Sequence, residues 1–145
     1  MMKWYACFER GSLALFCGAL LGGCAQPPEL QRLEATSEVV QQEIFDVACV
    51  QCHHDGFAAG GLDLSSLDVS MKGLLDVLVV NEVARENGWR RIVPGEPERS
   101  FLIRKVESPG VGEGQPMPPG QQALHPQFIE LMRTWIADLP NDEGA

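Results

Sequence analysis

The sequence predicts an all-α domain with long loops, on three observations. Apolar residues recur at helical spacing in several separate segments. Ser and Pro stand where helices should start or stop. The segments between are rich in Gly and Pro, and no internal repeat is visible.

Ser37 can cap a helix running from Glu38 to about Ala48, in which Val40, Ile44 and Val47 follow helical spacing and Phe45 broadens the stripe. A loop with Gly56, Gly60 and Gly61 follows, then a helix from about Val69 to Leu78 with Met71, Leu74, Leu75 and Leu78 on one side. Asn87-Gly88 and Pro94-Gly95-Glu96-Pro97 mark turns, and Pro97 can begin a helix reaching Val106 with Phe101 and Leu102 apolar. Ser108 to Gly120 should be loop. Pro126 opens the clearest helix: Phe128, Leu131, Met132, Trp135, Ile136 and Leu139 fall at i, i+3, i+4, i+7, i+8 and i+11, and Pro140 stops it. A long Gly/Pro-rich loop in so small a domain implies that something fills the space beside it.

The 145 residues leave room for one domain once an export signal is set aside. Lys3 and Arg10 flank a polar start that also holds Glu9, and Ser12 to Leu21 are almost wholly apolar. That run is too short for a membrane-spanning helix of about 20 residues and suits the apolar core of a signal peptide. It ends in Leu21-Gly22-Gly23-Cys24, which resembles the lipobox of bacterial lipoproteins. The resemblance implies cleavage before Cys24 and lipidation of its thiol, a stable anchor when two or three acyl chains are present. Ala25 after the cysteine favours the outer membrane by similarity to enteric sorting rules. The expected division is therefore a signal at 1–23, the lipidated Cys24 and a tether at 24–36 with Pro27 and Pro28, a folded domain at 37–140, and a tail at 141–145. The location expected is the periplasmic side of a bacterial envelope.

The net charge is −9, and removal of residues 1–23, with Lys3, Arg10 and Glu9, makes it one unit more negative. Such a surface repels nucleic acid. It suits partners with basic docking patches, in complexes that weaken with salt.

Of the five cysteines, Cys7 and Cys17 fall in the signal, Cys24 ends it, and Cys49 and Cys52 form a close pair. Cys49-Val50-Gln51-Cys52-His53 is a C-x-x-C-H pattern, read as a site for covalent attachment of a c-type haem. Two thiols at this spacing can reach two vinyl groups on one porphyrin edge, and the adjacent His53 can turn its imidazole onto the iron. Three other readings compete. A zinc site would need further ligands, and beyond Cys49, Cys52, His53 and His54 only His125 remains. A redox dithiol needs a βαβ context, and a disulfide at this spacing is strained. The export signal favours haem, which is attached outside the cytoplasm.

With these residues in place, positions 37–140 resemble a class I cytochrome c domain, a small helical fold wrapped around one haem. Ile44-Phe45 precedes the attachment motif as in that family. Gln115-Pro116-Met117-Pro118-Pro119-Gly120 is similar to its Met-Pro loop, and Leu124 through Trp135-Ile136 to its closing helix. Val93-Pro94-Gly95-Glu96-Pro97-Glu98-Arg99-Ser100 resembles a stretch of cytochrome-c-like domains in bacterial lipoproteins.

The resemblance implies Cys49 and Cys52 as thioether partners of one haem c, His53 as proximal iron ligand and Met117 as distal ligand. A thioether is soft and favours reduced iron, and the flanking prolines limit the loop's freedom. Met71, Met132 and His125 are rivals: the two methionines fall on apolar stripes, and His125 stands where a helix cap is expected. It also implies packing of the first helix on the last, with Phe45 near Trp135 or Leu131. Gln41, where the family often has Gly, should widen that crossing. His54 is expected at the surface, and Arg90 or Arg91 is a solvated charge or a partner for a haem propionate. The function implied is one-electron transfer without catalysis, by a free carrier or the electron-accepting subunit of an oxidoreductase. A haem-based sensor whose Met117 yields to a small gas, and a peroxidase-like open iron, are the alternatives.

Overall fold

Helix formation begins one residue earlier than the sequence suggests. In the computed structural model, which describes residues 33–120 and 123–141, Thr36 rather than Ser37 is the cap, and its side chain accepts from the Val39 N–H at 3.3 Å. The Ser37 hydroxyl, released from capping, turns to the last helix, where its Oγ accepts from the Trp135 indole N–H at 2.9 Å. The expected signal at 1–23, Cys24 and the tether as far as residue 32 lie outside the described residues, as do 142–145. Among the described residues no helix is long and apolar enough to cross a membrane.

Regular α geometry holds only for α1, Ser37–Val40; the chain continues as a π-helical stretch, Gln41–Cys49, closed by a bond from Val50 N–H to the Phe45 carbonyl at 2.9 Å. A π turn advances less angle per residue than an α turn. This explains why Val40, Ile44 and Phe45 are buried while Val47, expected on the same stripe, is 64% exposed. The wider turn carries Ala48 and Cys49 inward in its place, and both line the main cavity.

The architecture is mostly helical rather than all-α. Directly after the cysteines, β1 (His53–His54) pairs antiparallel with β2 (Phe57–Ala58), in register His53 with Ala58 and His54 with Phe57. A two-residue strand leaves no alternation to read, so the sequence pattern could not reveal it. A 3₁₀ turn at Ala59–Gly61 leads to α2, Leu67–Leu74. This helix stops short of Leu78 because the backbone after it is used otherwise. Asp76 N–H bonds the Ile92 carbonyl at 2.9 Å, Ile92 N–H bonds Leu74, and Arg91 N–H bonds Val77.

Between these segments lies α3, Glu82–Glu86, which the sequence pattern left without an assignment; Asn81 caps it by accepting from the Ala84 N–H. The helix expected from Pro97 is interrupted. Pro97–Arg99 forms a 3₁₀ turn, Ser100 is extended, and α4 runs Phe101–Glu107. The Ser100 hydroxyl accepts from Val93 N–H and donates to the Glu96 carbonyl, so the side chain holds the break in place. α5 (Pro126–Asp138) matches expectation, including His125 as its cap, whose Nδ1 accepts from Gln127 N–H.

The core forms where α1 and its π continuation meet α5. Val40, Ile44 and Phe45 are buried with Met132, Trp135 and Ile136, joined by Leu64, Leu74, Ile92 and Ile103. Phe45 and Trp135 meet edge to face with centroids 6.0 Å apart, a geometry that contributes about 0.5–1.5 kcal/mol beyond area burial. Gln41 is also buried, and its side chain is bonded toward α2. Its amide nitrogen donates to the Leu64 carbonyl at 2.9 Å and its oxygen accepts from the Ser70 hydroxyl at 2.8 Å, tying the π stretch to α2. On the far side of α5, Arg133 pairs with Glu107 at 2.8 Å and with Glu98. The Gly95 N–H reaches the Ile136 carbonyl at 2.8 Å, fastening the 94–97 turn to the same helix.

Candidate functional site

The π stretch, the hairpin, α2, α4 and the loop before α5 enclose a cavity of about 400 Å³. Its wall is predominantly apolar, with Leu62, Leu64, Leu74, Leu102, Val106 and Leu124 contributing. Cys49, Cys52, His53 and Met117, singled out in the sequence from segments more than sixty residues apart, all line it. The rivals do not: Met132 is in the core, Met71 packs against the core, and His125 caps α5. Cys49 and Cys52 are both free thiols. Among the described residues no three His, Cys, Asp or Glu side chains gather closely enough to hold a metal ion.

Each of the four is positioned by backbone. The π turn places Cys49, whose Sγ faces the Ile44 carbonyl at 3.7 Å. Burial pushes the Cys49 thiol up to about 12, so at neutral pH it is a protonated thiol, not a nucleophilic or ion-binding thiolate. Cys52 follows one turn later, its N–H bonding the Cys49 carbonyl at 3.1 Å. His53 sits in β1, with Nδ1 3.3 Å from the Leu62 carbonyl. When Nδ1 carries the proton and donates it there, Nε2 is left with its lone pair, the arrangement in which a ring nitrogen ligates a metal. His54 is half-exposed and turned to the next loop, where it accepts from Gly56 N–H at 3.1 Å.

Met117 is held from α4. Its N–H donates to the Lys105 carbonyl at 2.8 Å, while the Lys105 ammonium donates to the carbonyls of Glu113 and Gln115. The Glu113 carboxylate, only 4% exposed, accepts from Arg104 and from the Gly110 N–H, closing a latch between α4 and the loop. Arg104 also lies over the Trp89 ring at 5.0 Å. A Cβ at Gly110 would come within 2.5 Å of Arg104 Nη2 and 3.2 Å of the Glu113 carboxyl carbon, so a side chain there would displace the ends of both latch partners. Desolvation raises the Glu113 pKa, but the Arg104 and Gly110 hydrogen bonds and the charges of Arg104 and Lys105 outweigh it and hold the carboxyl below the ordinary glutamate range.

A carboxyl with a lowered folded-state pKa contributes stability above its unfolded value and loses it as pH falls through the folded one. The latch should therefore weaken below pH 4.5. Glu113→Gln should cost about 2 kcal/mol near neutrality, the scale of a hydrogen bond to a charged group. Its urea-unfolding free energy should then vary less with acidification than the wild type's. Equal acid dependence in both proteins would show that Glu113 does not close the latch.

The latch was not legible in the sequence: Glu113 is a lone acid in a Gly-rich loop, and nothing local links it to Arg104. Lys105 carried a weak signal, falling four residues after Phe101 on the cavity side of α4. Arg91, weighed with Arg90 as a solvated charge or a propionate partner, is half-buried in the cavity wall, whereas Arg90 is exposed and donates to the Asp76 carbonyl. No protein-family model, no curated protein and no solved structure matches the chain.

Proposed function

We propose that the protein is a monohaem c-type cytochrome that carries one electron at a time, tethered through a lipidated Cys24 to an envelope membrane, with the outer membrane favoured. One observation carries the reading. Two thiols three residues apart, an imidazole whose Nδ1 faces a backbone carbonyl, and a thioether from a distant loop line one apolar cavity.

The residues present fit the group. Cys49 and Cys52 would hold haem by two thioether bonds, each formed by adding S–H across a vinyl double bond, which needs no oxidant. His53 through Nε2 and Met117 through its sulfur would hold the iron. Haem supplies one-electron exchange between ferric and ferrous iron. The chain supplies the rest. The Leu62 carbonyl orients the His53 ring. Leu64, Leu74, Leu102 and Val106 exclude water, and the α4 latch holds Met117 so that its thioether favours the ferrous state. With His53 and Met117 both engaged in holding the group, the function would be electron exchange with redox partners, whose docking surfaces would be basic to suit the acidic chain.

The test is the visible spectrum of protein exported from a host with haem-maturation machinery. A reduced c-type spectrum, together with a weak far-red band in the oxidised form from Met–iron ligation, is the expected result. A colourless protein, or one holding a metal ion on free thiols, would overturn the proposal. Carbon monoxide that binds the reduced form readily would favour a ligand-binding role over electron transfer.

A further inference from the structure

Gln41 is a buried amide, 5% exposed, that spends both its N–H donors and joins three parts of the chain. Its Nε2 donates to the Asp46 carboxylate at 2.6 Å and to the Leu64 carbonyl at 2.9 Å, while Oε1 accepts from the Ser70 hydroxyl at 2.8 Å. The contacts with Leu64 and Ser70 tie the π stretch to the cavity wall and to α2. The contact with Asp46 lies within the π stretch itself, between a buried side chain and an exposed one.

Spacing gives that contact its meaning. On an α-helix side chains three and four apart are neighbours, and a partner five residues on lies about 140° round the cylinder at 3.6 residues per turn. A π turn closes on the fifth residue, which brings Gln41 and Asp46 to one side. The bond from Val50 N–H to the Phe45 carbonyl and the approach of Cys49 Sγ to the Ile44 carbonyl span the same five residues. The side-chain bond is therefore a brace that exists only while the wide turn does. Its acceptor is a carboxylate, which makes it stronger than a bond between neutral groups.

The direction of Cys49 depends on that turn. Each π residue advances less angle than an α residue, and the deficit accumulates over Gln41–Cys49. An α-helix with the same start would turn Val47 toward the core and Cys49 away from it. Burial of a valine is favourable, so the stripe of Val40, Ile44 and Val47 pulls toward the α register. The structure resists that pull: Val47 is 64% exposed, and Ala48 and Cys49 line the cavity. The Gln41 bonds are the counterweight.

We propose that Gln41 and Asp46 are positioning residues for cofactor attachment, their bond keeping the π register that aims the Cys49 thiol into the cavity. This rests on the haem reading above and names what presents one of its two sulfurs. The step served is addition of the Cys49 S–H across a vinyl group. The S–H bond and the carbon–carbon double bond open, one C–S and one C–H bond form, and no electrons leave the pair of reactants.

The experiment counts thioethers. Wild type, Asp46→Ala, Asp46→Asn and Gln41→Leu are exported from a host with haem-maturation machinery and purified as haem-loaded protein, with Cys49→Ala as the standard for single attachment. Each is read by its reduced spectrum in alkaline pyridine, where an unreacted vinyl group moves the band to longer wavelength. Each is also alkylated and digested, to show whether the Cys49 sulfur is free. A residue that only stabilises the fold would lower the yield without changing either readout. Wild type should show two thioethers and no alkylated Cys49. Asp46→Ala, at an exposed position, should give a population with Cys49 alkylated and the band displaced toward that of Cys49→Ala. Gln41→Leu, which also loses Leu64 and Ser70, should give a larger one. Asp46→Asn keeps an accepting oxygen and should restore most of the attachment. Full attachment in Asp46→Ala overturns the proposal whatever Gln41→Leu does, since the ties to Leu64 and Ser70 would then suffice. A loss as large in Asp46→Asn as in Asp46→Ala overturns it too. A wild-type protein lacking haem would instead bring down the proposed function itself, a result distinct from doubly attached haem in the variants.

Discussion

Replacing Cys49 and Cys52 together by alanine should abolish covalent cofactor attachment and sharply lower the yield of folded protein. The reason is energetic as well as chemical. Leaving an apolar cavity of about 400 Å³ unfilled costs at most about 10 kcal/mol at roughly 24 cal/mol per Å³. The opening to solvent reduces that figure, but the stability of a whole domain is only about 5–15 kcal/mol. On the proposed reading, the haem would complete the fold around this cavity. The single variants should be milder, since one remaining thioether still tethers the group. Haem absorbance per mole of exported protein, with limited proteolysis of the same samples, reads both effects. A double variant as coloured and protease-resistant as wild type would contradict the roles given to both thiols.

Met117→Ala should leave the cofactor attached and change its electronics. The Met117 N–H bond to the Lys105 carbonyl is a backbone contact, and the Lys105 ammonium bonds the Glu113 and Gln115 carbonyls; none of these uses the Met117 side chain, so the loop keeps its anchor when that side chain is cut back. The expected outcome is loss of the far-red Met–iron band and rapid binding of carbon monoxide. The midpoint potential should fall by on the order of 0.2 V, a fraction of the roughly 0.8 V over which axial ligands tune haem. Met71→Ala and Met132→Ala should leave the band in place, because Met132 is a core residue and Met71 packs on the core rather than into the cavity. A band that survives Met117→Ala and vanishes in either of the others would reassign the distal ligand.

What the sequence could announce, and what it could not, follows from the range of the interactions involved. α5 was readable because its stripe, its proline start and its stop are all local signals, and the His125 cap could be placed for the same reason. The pairing of Phe45 with Trp135 was one of two that the resemblance implied, and both residues lie on such stripes. The π stretch was not readable: its departure from α geometry appears only in where Val47 and Cys49 point, and the Gln41 bonds to Leu64 and Ser70 that accompany it span more than twenty residues. The same holds for Arg91, whose neighbours Gly60, Gly61 and Gly73 are distant in the chain and contribute only backbone. Cys49, Cys52 and His53 stood out because they share one short motif, and all three line the cavity. That Met117 shares their cavity required the fold, since a methionine among prolines has several other uses.

The most direct test of covalent haem attachment is the intact mass of the exported protein after acid–acetone extraction, which removes haem that is not covalently bound. The colour should stay with the polypeptide, the mass should exceed the lipidated chain by one haem, and a proteolytic fragment spanning Cys49 to His53 should carry the addition. Haem that extracts into the solvent, or a fragment with both sulfurs unmodified, would contradict it.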